Sequence, residues 1–396
     1  MPRRRIAVVS PFIDKRHGTE RSVAECVSRL ADAYEFHVYS NRVEDIDLER
    51  IVWHRIPALP GPHLFAYLWW FAANHFWRWR DAHFRGLSLD AVYSPGINCL
   101  DADAISVHIV FARFRAWVKD ELQLRRNPVR VWPQLIHRRL YYRLIAAIEG
   151  TVYKRPSLPL AAVSAKVASD LGRYYGRTDG VTIVYAGLDF ERFSPERRAA
   201  LRESARNAFG LRAADFALLL IGNDWKNKGL PCLLEAVAQA ADPRLRILVV
   251  GRDNAAPFTA AITRYGLDGS VSFLPPRPDV EFFYAAADAY VGPSLDDAFA
   301  LPPAESMACG LPAITSRNTG CAEIITHGRD GFVLEDPTDA ATLAQMICRL
   351  LNDPALCQSV GAAGAETALQ YTWERNAQQM QELFERAYAL KEAKRG

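Results

Sequence analysis

Short apolar runs alternate with longer amphipathic stretches along almost the whole chain. The apolar runs have the length of buried strands. They predict strands at Ile6–Ser10, Phe36–Ser40, Ala91–Ser94, Ile105–Val107, Leu160–Val163, Val181–Tyr185, Phe216–Ile221, Arg246–Val250, Val271–Leu274, Ala289–Val291, Ala313–Thr315 and Gly331–Leu334. The longer stretches predict helices at Thr19–Ala33, Leu64–Arg85, Trp132–Tyr153, Glu196–Asn207, Leu230–Ala240, Pro257–Tyr265, Val280–Ala286, Ala304–Cys309, Ala340–Leu351 and Trp373–Lys394.

Strands separated by helices of this length form parallel sheets with right-handed crossovers. The alternation is interrupted once, around Phe193-Ser194-Pro195, where a charged helical stretch follows. We therefore expect an α/β protein with two doubly wound, Rossmann-like domains, residues 1–190 and 191–372. The segment 373–396 is helical with no strand after it, so we expect it to pack back on the N-terminal domain.

Composition narrows the class of protein. Hydrophobic residues make up 50% of the 396 positions, which excludes a disordered chain or a small disulfide-stapled one. The 48 basic and 45 acidic residues nearly balance, so charge gives no indication of a nucleic-acid partner. The seven cysteines are scattered without a C-x-x-C pair, which argues against a zinc site or a disulfide framework. The longest apolar stretch, residues 64–77, is interrupted by Asn74 and His75, so we predict a cytoplasmic chain.

Two carboxylates stand out in the segment from Pro293 to Pro312. Asp297 lies in a loop after a predicted strand, and Glu305 lies at the start of the next predicted helix. Open α/β sheets bind ligands at this carboxyl edge, and the amides of residues 299–301 lie beside a helix N-terminus that suits a phosphate. The alternative is that Asp297 and Glu305 only cap the helix.

A second strand–loop–helix unit carries two lysines. The loop Gly222–Gly229 follows an apolar strand and places Lys226 and Lys228 before a helix, an arrangement typical of an anion clamp. Two solvated loop lysines are the alternative.

Other candidate positions are less distinctive. Gly18 opens a helix after the first strand, where it allows close approach of a ligand and where Thr19 can cap the helix. The pairs Asp45/Asp47 and Asp101/Asp103 have the spacing of a metal-binding motif, but chance pairs of this kind are expected among 45 acids. No dinucleotide, P-loop or nucleophile-elbow motif is present.

These segments together resemble the retaining glycosyltransferases of the two-Rossmann-domain (GT-B) type, family 4 (group 1). The family's Glu-x7-Glu motif is similar to residues 297–312, and its phosphate loop is similar to residues 222–229. Residues 186–195 and 162–171 resemble the family's interdomain stretch and a helix start. The form of residues 222–229 is similar to that of the lipopolysaccharide-core glucosyltransferases. The resemblance implies two domains that face each other across a cleft.

The resemblance also implies roles for individual residues. It makes Lys228 the group that neutralises the donor diphosphate, with the amide of Gly18 near it, and makes Glu305 the partner of the nucleotide ribose. Asp297 and the loop amides then hold the donor sugar. The donor-binding set is Gly18, Asn223, Lys226, Lys228, Asp297, Phe299, Ala300, Leu301 and Glu305. His108 follows a strand at a position where the family often has a catalytic-pocket histidine. The resemblance therefore makes His108, Asp297 and Lys228 the catalytic set. The alternative for His108 is that it is only a packed residue.

The chain departs from the family pattern at several of these positions. Asp297 replaces a glutamate, Ala298 and Ala300 replace glycines, and Asn223 stands where an arginine usually binds phosphate, which leaves Lys226 as its substitute.

The implied reaction moves a sugar from a nucleoside diphosphate, most simply UDP-glucose, to a hydroxyl of a glycan or lipid-linked acceptor in the cell envelope. Neither a cofactor nor a metal is expected. The segment from Arg113 to Arg143 holds nine basic residues against two acids, interleaved with aromatic residues, which fits peripheral contact with an anionic membrane or a solvated helix face. The alternatives are a GDP-mannose-dependent mannosyltransferase, a nucleotide-sugar 2-epimerase and a non-catalytic sugar-nucleotide binder.

Overall fold

A computed structural model describes residues 3–394 of the protein. The chain divides into two units. The first unit contains residues up to Tyr185 together with the C-terminal segment from Trp373, and the second unit is Ala186–Thr372. The chain passes from the first unit to the second between residues 185 and 186. The sequence pattern predicts this boundary five residues later, between 190 and 191.

The first unit is built on a parallel sheet. Its main strands are β1 (Arg4–Val9), β3 (Tyr34–Ser40), β5 (Val52–Arg55), β6 (Ala91–Pro95), β7 (Ala104–Val107), β8 (Leu160–Ala162) and β9 (Val181–Ile183). They lie in the order β5-β3-β1-β6-β7-β8-β9, and every pairing is parallel. The short strands β2 (Phe12–Ile13) and β4 (Arg42–Val43) form a separate parallel pair.

Helices connect these strands and cover the sheet. They are α1 (Gly18–Leu30), α2 (His63–Arg85), α3 (Phe111–Trp117), α4 (Trp132–Val152) and α5 (Ala165–Tyr175), and the C-terminal α13 (Trp373–Glu392) belongs to the same unit. Phe384 of α13 lies among the buried aromatic side chains of this sheet, with its ring 5.9 Å from that of Tyr34 and 5.2 Å from that of Tyr93. The amide of Asn376 donates to the carbonyl oxygen of Tyr185 at 2.7 Å. The last helix therefore completes the core of the first unit.

The second unit is also a doubly wound parallel sheet. Its strands are β10 (Phe216–Ile221), β11 (Leu245–Val250), β12 (Val271–Leu274), β13 (Ala289–Gly292), β14 (Ala313–Ser316) and β15 (Phe332–Leu334), in the order β12-β11-β10-β13-β14-β15. Its helices are α6 (Pro195–Ala208), α7 (Leu230–Ala240), α8 (Ala256–Arg264), α9 (Glu281–Ala286), α10 (Leu301–Ala308), α11 (Ala340–Asn352) and α12 (Pro354–Ala368). The expected fold class, two doubly wound Rossmann-like domains, is confirmed.

The sequence pattern missed several elements and misplaced one boundary that matters. Strands β2, β4 and β5 and helices α3 and α12 were not predicted, and α5 was indicated only by the resemblance of residues 162–171 to the family's helix start. The helix expected at Ala304–Cys309 begins three residues earlier, at Leu301, because prolines are tolerated in a first turn, where their missing N–H groups would have no partner. Glu305 consequently lies in the second turn of α10 rather than the first.

Candidate functional site

The strand order of the second unit brings two loops to one point. The sequence order of the strands reverses between β10 and β13, so the loop Gly222–Gly229 after β10 lies beside residues 293–300 after β13. Such a reversal at the carboxyl ends of parallel strands is where open α/β sheets bind ligands. Backbone and side chain of Asn227 join the loops: its carbonyl accepts from the Leu295 N–H at 2.7 Å, and its amide donates to the Asp296 carbonyl at 2.9 Å.

This close approach requires glycine at position 229. Its φ is +87°, and a Cβ there would lie 2.2 Å from the carbonyl oxygen of Pro293. Any larger residue would force the two loops apart.

Lys228 and Asp297, predicted separately as a diphosphate-binding cation and a sugar-binding carboxylate, are in direct contact. The Lys228 ammonium forms an ion pair with Asp297 Oδ2, and the two side chains are 17% and 19% exposed. The backbone N–H of Lys228 donates to the Asp224 carbonyl at 2.9 Å, so the lysine leaves the loop from a fixed backbone position. The structure thus concentrates one positive and one negative charge at the junction of the loops.

The loop after β10 is also fastened to the loop after β11. Asn223 Oδ1 accepts from the Arg252 N–H at 2.8 Å, and Asp253 Oδ2 accepts from the Trp225 N–H at 2.8 Å. Trp225 is buried, with its ring 4.9 Å from that of Phe273. Asn223, one of the predicted donor-binding residues, therefore has a structural partner. Arg252, which is exposed two residues after the end of β11, was not among the predicted residues.

Lys226, the predicted substitute for the missing arginine, is exposed in this loop. Its main chain helps to shape the turn, since the Lys226 carbonyl accepts from the Gly229 N–H at 3.2 Å.

The loop that carries Asp297 is held mainly by its backbone. The Asp297 N–H donates to the Asn318 carbonyl at 3.1 Å, and the Asp297 carbonyl accepts from Gly320 at 3.3 Å. The Phe299 carbonyl accepts from the Cys321 N–H at 2.6 Å, while the Phe299 N–H donates to Asp297 Oδ1 at 3.3 Å. Phe299 is buried, so it contributes backbone rather than its ring to the loop surface.

The N-cap position of α10 is not occupied by a carboxylate. The residue in the N-cap position is Ala300, which makes no side-chain capping hydrogen bond and has φ of +66°, a conformation that disfavours alanine. Asp297 and Glu305 are therefore not the N-cap residue of α10, and Asp297 Oδ1 accepts from the Phe299 N–H just before the helix. Leu301 begins the helix directly after this strained residue.

Glu305 is held inside the second unit. It is 6% exposed, and its Oε2 accepts from the Tyr284 hydroxyl at 2.8 Å. Tyr284 is fully buried, and burial together with the neighbouring Glu305 charge raises its pKa well above the usual value, so the hydroxyl stays protonated and donates. This bond fixes the Glu305 carboxylate in one orientation on α10.

The first unit holds the two remaining predicted residues. His108 follows β7 directly, and its Nε2 lies 3.1 Å from the Ser106 hydroxyl. Burial lowers the pKa of His108 to about 4, so the imidazole is neutral at pH 7. Gly18 is exposed and is the first residue of α1. The predicted cap at Thr19 is wrong, because the N-cap position is His17 and Thr19 already lies in the first turn.

The two Asp-x-Asp pairs have structural partners. Asp101 accepts from Arg78 at 2.5 and 2.8 Å, and Asp103 accepts from the Val92 N–H at 2.9 Å and from Lys391 at 2.8 Å. Asp47 caps a 3₁₀ turn, and Asp45 accepts from the Lys15 N–H at 3.2 Å. Within residues 3–394, no group of three or more His, Cys, Asp or Glu side chains is arranged to hold a metal ion.

The basic segment from Arg113 to Arg143 extends over α3, the following turns and most of α4. Its first arginine pairs with Asp170 at 3.1 Å and Arg126 pairs with Asp120 at 3.5 Å, whereas Arg139 and Arg143 form no ion pair within the described part of the chain. No helix among the described residues is long and apolar enough to span a membrane. All seven cysteines lie in that part of the chain and are free thiols.

The second unit matches a known family. Residues 202–367 match the family described as glycosyl transferases group 1. The D-inositol 3-phosphate glycosyltransferase of Pseudarthrobacter chlorophenolicus is 31% identical over 228 residues, which cover 55% of this chain and 53% of that protein. The chain thus spans about half the length of the curated relatives it matches.

Solved structures match nearly the whole chain in fold. WaaG, a glycosyltransferase involved in lipopolysaccharide biosynthesis, superposes with a TM-score of 0.74 at 22% identity, covering 92% of this chain and 94% of WaaG. Anabaena HepE in complex with UDP-glucose gives a TM-score of 0.71 at 19% identity, covering 96% of this chain and 99% of HepE. The predicted resemblance is confirmed: residues 202–367 match the group 1 glycosyltransferases, and the chain has the fold of GT-B enzymes.

Proposed function

We propose that the protein is a retaining glycosyltransferase that moves a sugar from a UDP-sugar, such as UDP-glucose, to a hydroxyl of a glycan or lipid-linked acceptor. The observation that carries this proposal is the contact between Lys228 and Asp297 at the strand-order reversal, inside the segment that matches the group 1 family. HepE, which shares the fold, is described in complex with UDP-glucose, and this supports the choice of donor.

The proposed mechanism uses fixed positive charge. As the bond to the sugar breaks, negative charge grows on the leaving diphosphate, and a cation already in place lowers that barrier. Lys228 supplies such a charge, and the N-terminus of α10 adds backbone dipoles nearby in sequence. In this proposal the incoming diphosphate takes over the Lys228 ammonium, which releases the Asp297 carboxylate to accept hydrogen bonds from the donor sugar.

Attack from the same face as the leaving group fits this arrangement best. The released Asp297 carboxylate is engaged by hydroxyl groups of the donor sugar in this proposal, so we assign it to sugar binding rather than to a covalent intermediate. The neutral imidazole of His108 can accept a hydrogen bond from a sugar hydroxyl, which an imidazolium cannot.

Partners and location follow from the same proposal. We place the reaction in the cytoplasm, since seven free thiols fit a reducing compartment, with peripheral contact to the inner face of an anionic membrane. The acceptor screen includes D-inositol 3-phosphate, because curated relatives are named for it.

Product analysis tests the reaction class. The protein is incubated with UDP-, GDP- and ADP-sugars, with and without candidate acceptors and in excess chelator, and thermal stabilisation is recorded in parallel. We expect a glycoside that keeps the anomeric configuration of the donor sugar, formed only when the acceptor is present. We also expect full activity in excess chelator. An epimerised sugar without acceptor indicates a 2-epimerase, stabilisation without turnover indicates a binder, and preference for GDP-mannose indicates a mannosyltransferase.

Two neighbouring lysines provide a matched test of the site. Lys228→Ala is expected to lower kcat about 10²–10³-fold, in line with removal of one preorganised charge. Lys226→Ala removes an exposed charge from the same loop and is expected to cost less than about tenfold. Equal losses in the two variants, or a Lys228→Ala variant with weaker donor binding and unchanged kcat, would contradict the role of Lys228.

A further inference from the structure

Helix α2 exposes a row of large apolar side chains to solvent. We call Phe65, Leu68, Trp69, Phe76, Trp79 and Phe84 the outer stripe, and each is between 38% and 76% exposed. Their spacing of three, four and seven residues places most of them along one side of the helix. At 1.5 Å per residue the outer stripe is about 28 Å long.

The inner side of α2 is mixed, with Trp70 and Ala73 buried beside three polar residues. Asn74, Arg78 and Asp81 are buried. Arg78 donates to Asp101, and Asn74 donates to the carbonyl of Asn98 at 2.9 Å. Trp70 donates to Asn98 at 3.1 Å, and Trp69 of the outer stripe donates to the Pro57 carbonyl at 2.8 Å. These bonds seat the helix on the first unit and leave the rings of the outer stripe partly exposed.

In the C-terminal half of the outer stripe, the rings of Phe76, Trp79 and Phe84 pack on one another. The centroids of Phe76 and Trp79 are 5.8 Å apart, and those of Trp79 and Phe84 are also 5.8 Å apart. Contiguous apolar surface of this kind on a folded protein marks an interaction site.

Helix α4 lies beside α2 and extends the same surface. His137 Nε2 lies 3.1 Å from the Leu64 N–H, and Tyr141 meets Tyr67 edge-on at 5.8 Å, so the helices run side by side in the same direction. Ile136 and Leu140 of α4 are 43% and 50% exposed.

The charge of the two helices identifies the partner. Asp81 is the one acid in α2 and Glu149 is the one acid in α4, and both are fully buried. Asp81 pairs with Arg80 at 2.8 Å and with Arg85 at 3.6 Å. Arg138, Arg139 and Arg143 of α4 are at least partly exposed and form no ion pair within residues 3–394. A second copy of this chain would bring like charges together, whereas a surface of lipid phosphates would neutralise them.

We propose that the outer stripe of α2, with the arginines of α4 beside it, docks on the interface of an anionic lipid bilayer. The aromatic rings enter the headgroup region, where tryptophan and phenylalanine partition well, and the guanidinium groups pair with lipid phosphates. The basic segment 113–143 supplies charge in this arrangement, and α2 supplies the apolar contact. This inference rests on the membrane contact included in the proposed function and names the surface that makes it, but it does not depend on the transfer reaction.

Vesicle binding tests the proposal without any donor or acceptor. The full chain is sedimented with vesicles of phosphatidylcholine and phosphatidylglycerol in equal parts, and with vesicles of phosphatidylcholine alone. We expect strong preference for the anionic vesicles. The triple variant Phe65→Gln, Phe76→Gln, Trp79→Gln is expected to lower the partition coefficient about 100-fold or more, because three inserted rings are lost.

Two further variants serve as controls. The variant Leu48→Gln, Val52→Gln, Leu369→Gln removes three exposed apolar side chains elsewhere and should bind like the wild type. Arg139→Gln with Arg143→Gln should lower binding to anionic vesicles about 5-fold for each charge removed. Circular dichroism and melting temperature confirm that every variant is folded.

The outcomes separate the possible partners. Failure of the wild type to bind either vesicle, or unchanged binding by the folded triple variant, overturns the proposal. A wild-type dimer in lipid-free sedimentation equilibrium that the triple variant converts to a monomer also overturns it, since the outer stripe would then be a contact between two copies.

Discussion

Asp297→Asn separates sugar recognition from nucleotide binding. The substitution keeps the size of the side chain and removes its charge, so the ion pair with Lys228 is lost. The backbone of residue 297 keeps its hydrogen bonds to Asn318 and Gly320, which do not depend on the side chain. We therefore expect the loop to retain its shape.

The magnitude follows from the burial of the pair. With side chains 17% and 19% exposed, the pair lies between an exposed ion pair, worth up to about 1 kcal/mol, and a buried one, whose disruption costs about 3–5 kcal/mol. We expect Asp297→Asn to lower the free energy of unfolding by about 1–2 kcal/mol. Transfer should fall about 10–100-fold, because hydrogen bonds to a carboxylate are about twice as strong as those to an amide.

The affinity for free UDP should not fall together with the rate of transfer. Removing Asp297 leaves the Lys228 ammonium without its carboxylate, so free UDP should bind as tightly as before or up to about fivefold more tightly, since a competing negative charge is gone. Calorimetry with UDP and a product assay on one preparation measure both effects. Asp268→Asn removes an exposed carboxylate from the same unit and is the control.

A loss of UDP affinity of tenfold or more would refute this reasoning. It would mean that the carboxylate organises the nucleotide site itself. Unchanged transfer with unchanged UDP binding would instead remove Asp297 from the reaction.

Two further predictions concern stability. Ala300→Gly should raise the free energy of unfolding by about 0.5–1 kcal/mol, because glycine tolerates φ of +66°. Ala298→Gly changes a position without positive φ and should lower the free energy of unfolding by a similar amount. Urea unfolding compares the two variants, and equal losses would show that residue 300 is unstrained. The pKa of His108 is about 4 in the folded protein and about 6.5 in the unfolded chain. Its contribution to the free energy of unfolding is therefore complete above pH 6.5 and is lost as the pH falls toward 4, by at most about 3 kcal/mol. His108→Gln should reduce the stability difference between pH 7 and pH 4.5, whereas the control His63→Gln should not, and an unchanged difference in His108→Gln would contradict the burial of the imidazole.

Much of the second unit could be predicted because its hydrophobic pattern is simple. Strand β10 and helix α7 have the predicted bounds, since an unbroken apolar run precedes a polar loop and a clear helical period follows. Helix α12 was missed because it is rich in alanine and glycine, so it has small buried residues without a strong apolar period. Strand β5 was missed because it is four residues long and mixes exposed and partly buried positions.

The candidate site shows a different limit. Parallel-sheet topology predicts that Lys228 and Asp297 reach one edge, because both follow neighbouring strands, but it does not predict that they touch. That contact depends on how closely the loops approach, which is set by Gly229 and by the hydrogen bonds of Asn227. Helix α2 shows the same limit, since Arg78 is buried only because the fold places Asp101 where the two can pair.

The departures from the family pattern fall where the structure can accept them. Backbone hydrogen bonds fix the loop that carries Asp297, including the bond from the Cys321 N–H to the Phe299 carbonyl, and such bonds are independent of side-chain identity. Side chains at 297, 298 and 300 can therefore vary without loss of the loop, at the cost of local strain at Ala300. Because Asn223 departs from the pattern in the loop after β10 while Asp297, Ala298 and Ala300 depart in the loop after β13, we expect the proposed donor to be held differently at both its diphosphate and its sugar.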